Sequence, residues 1–272
     1  MTFRPPVAPD PALLDAALAL IRERRGAGLF IFGLCGAQGS GKSTLARALV
    51  AALTARGKRA AALSLDDLYL THAERAGLGR SVHPLFATRG VPGTHDIPLG
   101  LALFDALARG EPAALPRFSK AADDRLPPAE WPHAPAGLEV LVFEGWCVGA
   151  RPQDEAALAV PVNDLERMED ADARWRTHAN TCLGGPYQRL FARLDALMLL
   201  AAPSFAVIAR WRLEQEQDLA PGARMDAAAV ARFVGFYERL TRHMLAEMPA
   251  RADLVAPLDE MRRPVTLTQA GR

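Results

Sequence analysis

Apolar residues fall along this chain in runs that are continuous or nearly so, at residues 29–35, 60–65, 138–143 and 196–201, with a shorter one at 252–256. A strand buried on both faces reads this way, and such strands belong to parallel sheets covered by helices. The stretches between carry the 3.6-residue period instead. Residues 11–24 place Leu13, Leu14, Ala17, Leu20 and Ile21 on one face, and residues 45–53 form an Ala-rich apolar helix. Residues 99–108, 187–194 and 204–219 read as further helices, and Asp226 is a fitting N-cap for a helix over 227–248 with Phe233, Phe236, Tyr237 and Leu240 at core spacing. Residues 163–179 alternate acidic and basic side chains at helical spacing, which predicts an exposed helix with i,i+4 pairs, broken by Gly184-Gly185-Pro186. Residues 71–97 are polar, glycine-containing and weakly periodic, residues 111–135 are a proline-rich surface excursion, and residues 264–267 are a candidate edge piece. Strand alternating with helix predicts an α/β fold, a doubly wound and mostly parallel sheet with helices on both faces.

Chemistry enters at the first strand–helix junction. Gly36-Ala37-Gln38-Gly39-Ser40-Gly41-Lys42-Ser43-Thr44 fits the phosphate-binding pattern G-x-x-x-x-G-K-[ST]. The glycines let successive amides turn into one concavity, Lys42 carries a cation to where β- and γ-phosphates lie, and Ser43 offers a hydroxyl to Mg²⁺. The helix that follows adds the positive end of its dipole. The order strand, glycine turn, helix is the context that such a match requires, and it points to nucleotide binding.

Carboxylates stand at the ends of two more apolar runs. Asp66 and Asp67 close the second, where an α/β sheet binds ligands and where an aspartate can take the proton of an attacking hydroxyl; capping of the next segment is the alternative. Glu144 closes the third, the position of a metal-side carboxylate in phosphate-loop enzymes. Arg89-Gly90-Val91-Pro92-Gly93-Thr94-His95-Asp96 ends in polar side chains suited to hydroxyls or a carboxylate, although Asp96 serves equally as a helix cap. Arg117 and Lys120 are candidates for meeting an anion. Arg210 and Arg212, two apart on one helix, cannot share a face, so one is expected at the nucleotide and the other at solvent or a carboxylate.

Composition narrows the partners. The formal net charge is +1 over 272 residues, so nothing suggests a groove for nucleic acid. No apolar run reaches membrane-spanning length, and Met1 to Pro6 contain no apolar signal core. Cys35, Cys147 and Cys182 form neither a disulfide framework nor a metal spacing, which suits reduced thiols in a cytoplasmic protein.

The phosphate loop, Ser64-Leu65-Asp66-Asp67-Leu68-Tyr69, Arg89 through Asp96, and Phe143-Glu144-Gly145-Trp146 together resemble the plant-type D-glycerate 3-kinases, within the group that includes phosphoribulokinase, uridine kinase and pantothenate kinase. The resemblance implies one kinase domain over 1–272, with acceptor-side insertions at about 70–97 and 111–136 and a lid-like helical segment at about 203–225. It implies ATP with Mg²⁺ and transfer of the γ-phosphoryl group to a small hydroxylated acceptor, with a monomer or homodimer as the working form. By that resemblance Asp66 looks like the base, Glu144 and Ser43 like the groups that serve the metal, and Lys42 and Arg210 like those that serve the phosphoryl group. Asp67, Tyr69, Arg89, His95, Asp96 and Lys120 fall on the acceptor side. Two departures lie there as well: the family tends to have Asp-Lys-Ser where this chain has Ser119-Lys120-Ala121, and a larger apolar residue where Cys147 stands. A nucleoside or pantothenate-like acceptor is the rival within kinases, and a phosphate-loop ATPase or switch acting on a protein partner is the rival outside them.

Overall fold

The structure, a computed structural model, describes residues 8–217 and 226–269. The strands of the main sheet are β1 (Phe30–Gly36), β2 (Ala60–Ser64), β3 (Val140–Gly145), β4 (Ala196–Ala201), β5 (Leu254–Pro257) and β6 (Thr268–Gln269). They pair in the order β6-β5-β4-β1-β3-β2. All pairings are parallel except β5 with β6. The edge piece at the C-terminal end is thus Thr268–Gln269, a few residues beyond the expected stretch; Pro264 contributes only an isolated bridge to Leu258.

Every residue of β1 and β3 is buried. Period-2 geometry divides their side chains between two cores. Phe30, Phe32, Leu34, Val140 and Val142 pack on one face, against helices α1 (Pro11–Arg24) and α2 (Lys42–Ala55). Ile31, Cys35, Leu141 and Phe143 pack on the other, over the acceptor-side elements. The chain leaves β1 towards β2 on one side and reaches β4 on the other. The switch point, where α/β sheets bind ligands, therefore lies at the carboxyl end of β1.

The weakly periodic stretch holds a helix that the pattern concealed, α3 (His72–Ser81). It opens with a capping box: Thr71 Oγ1 accepts from the Glu74 amide at 3.3 Å and Glu74 Oε2 accepts from the Thr71 amide at 2.7 Å. Its buried residue is Arg75, whose guanidinium donates to the carbonyls of Leu70, Ala87 and Asp123. A helix that buries an arginine in carbonyl oxygens has no apolar stripe to read. Next comes α4 (Ile97–Ala108), capped by the Asp96 carboxylate on the Leu99 amide at 3.0 Å. The proline-rich excursion forms two small ladders, Ala113–Ala114 with His133–Ala134 and Phe118–Ser119 with Asp124–Arg125.

The expected exposed helix at 163–179 is instead two, α5 (Asp164–Glu169) and α6 (Arg174–Cys182), separated by Ala173 at φ 61°. Several of its charges are buried. Asp170 is fully enclosed and pairs with Arg176 at 2.9 Å while accepting the Trp175 amide at 2.7 Å. Glu166 is fully enclosed and pairs with Arg239 at 2.6 Å. Gly184-Gly185-Pro186 does not break the chain either. The residues sit in a wide π turn, Leu183–Tyr187, that runs on into α7 (Gln188–Phe191), where the amide missing from Pro186 is tolerated. Helices α8 (Phe205–Gln217) and α9 (Ala227–Glu247) close the fold, α9 capped by Asp226 on the Ala229 amide at 2.7 Å. Residues 218–225 of the anticipated lid lie outside the described residues. No described helix is long and apolar enough to cross a membrane.

Arg239 also donates to the carbonyls of Ala157 and Val160. Arg239→Ala strands the Glu166 carboxylate in the core, so we expect a loss of about 3–5 kcal/mol, read as a lowered denaturant midpoint. Replacing both partners by apolar residues of similar volume should recover most of it; an Arg239→Ala protein of undiminished midpoint would show that the pair is not buried.

Candidate active site

Gly36 is the last residue of β1, and a Cβ there would lie 2.6 Å from Ser40 Oγ and 3.1 Å from Leu200 Cβ, so only glycine lets the loop fold back on the sheet. Gly41 takes the left-handed conformation at φ 90° and stands at the N-cap of α2. No side chain caps that helix, which leaves its first-turn amides directed at whatever enters. Gln38, Gly39, Gly41, Lys42, Ser43 and Thr44 line a cleft of about 810 Å³. Ala37 and Ser40 are buried in the turn behind it.

The parallel register sets Leu34 of β1 beside Glu144 of β3, and Ser64 of β2 on the other side of Glu144. Glu144 therefore faces the start of α2, and its Oε1 accepts from Ser43 Oγ at 2.7 Å. Its Oε2 is buried without a hydrogen-bond partner. A buried carboxylate oxygen costs free energy unless something fills its lone pairs. An oxygen-seeking divalent cation between Ser43 and Glu144 fits that donor set.

Asp66 follows β2 in a short turn, its amide held by Ser64 Oγ at 3.2 Å, and its side chain points into the same cleft. Lys120 Nζ donates to Asp66 Oδ2 at 2.7 Å. Burial pushes the Asp66 carboxyl up, but the Lys120 ammonium, helped by Lys42, outweighs it and holds the group below the usual carboxylate range. Tyr69 and Arg89 line the cleft beside them. Arg89 pairs with Asp123, which Arg75 also binds at 3.0 Å. Burial and the Asp66 charge lift the Tyr69 hydroxyl well above its ordinary value. The floor and far wall are Trp146, Phe233 and Tyr237, with Trp146 Nε1 donating to the Gly90 carbonyl at 3.0 Å.

Not every expected residue faces the cleft. Asp67 turns away and holds the 117–118 segment, accepting the Phe118 amide at 3.1 Å and pairing with Arg117 at 3.2 Å. Asp96 caps α4 and pairs with Arg125 at 3.2 Å. His95 is buried under Tyr69, ring centroids 4.4 Å apart, rather than on the cleft surface. Of the two α8 arginines, Arg210 pairs outward with Glu260 at 2.9 Å, while Arg212 lines the cleft with its guanidinium 4.8 Å from the Phe233 ring centroid. Cys147 is buried in the core behind Trp146, so that departure does not touch the cleft; Ala121 does line it. Phe233 and Tyr237, which periodicity alone assigns to packing, both pack and line the cleft. Sequence reasoning passed over Arg262, whose Nε donates to the Gly39 carbonyl at 2.8 Å; no motif marks a residue that reaches the loop from 223 positions away.

An uncapped phosphate loop at the switch point, faced by Glu144 at the end of the adjacent β3 and by Asp66 just beyond β2, defines a phosphate-loop kinase. The comparisons agree. The uncharacterised kinase mug58 of Schizosaccharomyces pombe is 36% identical over 204 residues, covering 70% of this chain and 71% of that protein. The chloroplastic D-glycerate 3-kinase of Arabidopsis thaliana is 29% identical over 256 residues, 86% of this chain but 54% of that one, so the chain spans about half that relative's length. Among solved structures, a D-glycerate 3-kinase from Cryptococcus neoformans superposes with a TM-score of 0.77 at 24% identity, covering 95% of this chain and 97% of that one. No protein-family model matches. The chain belongs to one family of kinases with the mug58 protein, and it is similar to the D-glycerate 3-kinases.

Removing Lys120 leaves burial as the dominant influence on Asp66, which raises its pKa. In Lys120→Ala the acid limb of the kcat/KM profile should therefore move to higher pH, while Lys120→Arg keeps it low. An acid limb at the same pH in all three proteins would show that the pair does not govern Asp66.

Proposed function

We propose that the chain is an ATP- and Mg²⁺-dependent kinase that phosphorylates a hydroxyl of a small hydroxy acid, D-glycerate or a close analogue. The observation that carries this reading is the Asp66–Lys120 pair standing in one cleft with Lys42 and Ser43. A hydroxy acid needs a proton acceptor for its alcohol and a cation for its carboxylate, and the pair offers both. The family relative that is a D-glycerate 3-kinase points the same way.

In this reading the amides of residues 36–44 and the Lys42 ammonium hold the β- and γ-phosphates in place. Ser43 and Glu144 hold Mg²⁺, which supplies neutralisation of charge on the phosphate oxygens. Arg212 adds a second cation from α8, the role that the sequence reading assigned to Arg210. Lys120 moves from Asp66 to the incoming carboxylate, freeing Asp66 to accept the hydroxyl proton as the bond to phosphorus forms. An aspartate with a depressed pKa suits a loose transition state, in which that proton leaves late. Most of the acceleration is positioning and charge neutralisation. A nucleoside has no carboxylate to draw Lys120 away.

Incubation with ATP, Mg²⁺ and a panel of hydroxy acids, sugars and nucleosides, followed by detection of the phosphorylated product, tests the reading. Phosphorylation of a hydroxy acid is expected, with Asp66→Asn retaining nucleotide affinity and losing roughly a hundredfold or more in kcat. A phosphorylated nucleoside, or ATP hydrolysis with no phosphorylated acceptor, would contradict it.

A further inference from the structure

His95 has one ring nitrogen committed and one not. Its Nδ1 lies 2.6 Å from the Tyr187 hydroxyl. That oxygen already accepts the Gly93 amide at 3.0 Å. The buried hydroxyl must also place its own proton, and among the described residues Nδ1 is the acceptor it meets. A neutral imidazole that accepts at Nδ1 carries its proton on Nε2. Burial keeps the ring neutral, lowering its pKa to about 3. Nε2 is buried and has no hydrogen-bond partner, so an N–H donor stands unsatisfied at this point. The ring carrying it stacks on Tyr69, which lines the cleft beside Asp66, and Asp66 is the charge that acts on it. Tyr187 itself ends the π turn Leu183–Tyr187, and such turns cluster at functional sites.

We propose that Tyr187 is a positioning residue that locks His95 in the Nε2–H tautomer, so that the imidazole serves the acceptor side as a hydrogen-bond donor and never as the base. The inference rests on the small-acceptor kinase reading and deepens it. Tyr69 covers the ring, so the donor finds its partner when Tyr69 shifts as the cleft fills and admits an oxygen of the acceptor, or a water held with it, to the buried Nε2–H. Asp66 is then left as the group that takes the proton. The sequence reading placed His95 on the acceptor side as a polar side chain that positions the acceptor, and Tyr187 outside the site altogether.

Long-range ¹H–¹⁵N correlation spectra of protein labelled at histidine test the lock directly. Wild type should show His95 neutral and protonated on Nε2, and Tyr187→Phe should shift it towards the Nδ1–H form or a mixture. With the acceptor that the product panel identifies, Tyr187→Phe should lower kcat roughly ten- to a hundredfold, the usual effect of losing a partner that fixes a tautomer, with the KM for ATP unchanged. His95→Gln keeps an N–H donor near the Nε2 position, and adding Tyr187→Phe to it should cost little more. An Nδ1–H tautomer in wild type, an unchanged kcat in Tyr187→Phe, or equal losses from Tyr187→Phe in the two backgrounds would overturn the assignment. An acceptor that is not a hydroxy acid would overturn the substrate reading alone, because the tautomer is measured on the protein without acceptor.

Discussion

The hydrogen bond from Ser43 Oγ to Glu144 Oε1, at 2.7 Å, ties the start of α2 to the sheet beside the phosphate loop. It joins the first turn of α2 to the end of β3, and it depends on β1 and β3 being neighbours in parallel register. That pairing requires strands apolar on both faces, since each packs against helices above and below. The same arrangement leaves Glu144 Oε2 buried and unfilled. A divalent cation there would fill the lone pairs that burial leaves without a partner.

Charge around the cleft is balanced in pairs, and the pairs differ in what they do. Those that are fully enclosed, Glu166 with Arg239 and Asp170 with Arg176, knit α5, α6 and α9 together behind the aromatic wall. Those at the cleft are partly exposed and exchangeable, Asp66 with Lys120 above all, whose ammonium side chain is 64% exposed. Arg89 stands between the two kinds, facing the cleft while its partner Asp123 is also gripped by the buried Arg75. An acceptor carrying its own negative charge can compete for the exchangeable cations and leave the enclosed ones undisturbed.

The sheet was legible because strands buried on both faces announce themselves as near-continuous apolar runs, and the phosphate loop because its chemistry is confined to one short turn. Asp226 and the capping role of Asp96 were readable for the same local reason. What stayed hidden is long-range. α3 was illegible because it buries Arg75 rather than a stripe of leucines. The helices at 164–169 and 174–182 read as a solvated face because Glu166 and Asp170 look like surface charges until Arg239 and Arg176 arrive. Which α8 arginine enters the cleft depends on Phe233 of α9 offering its ring to Arg212 and on Glu260 drawing Arg210 away. The pairing of His95 with Tyr187 spans 92 positions, and no local pattern encodes it.

Proton acceptor, metal-side carboxylate and phosphate loop are held here to act on one reacting centre. The direct measurement is a crystal structure of the protein with a non-hydrolysable ATP analogue, Mg²⁺ and the phosphorylatable acceptor. The account predicts the metal at Ser43 and Glu144, and the acceptor hydroxyl about 3 Å from Asp66, with Lys120 moved onto the acceptor. A metal bound away from Glu144, or an acceptor hydroxyl out of reach of Asp66 while that carboxylate still holds Lys120, would contradict it.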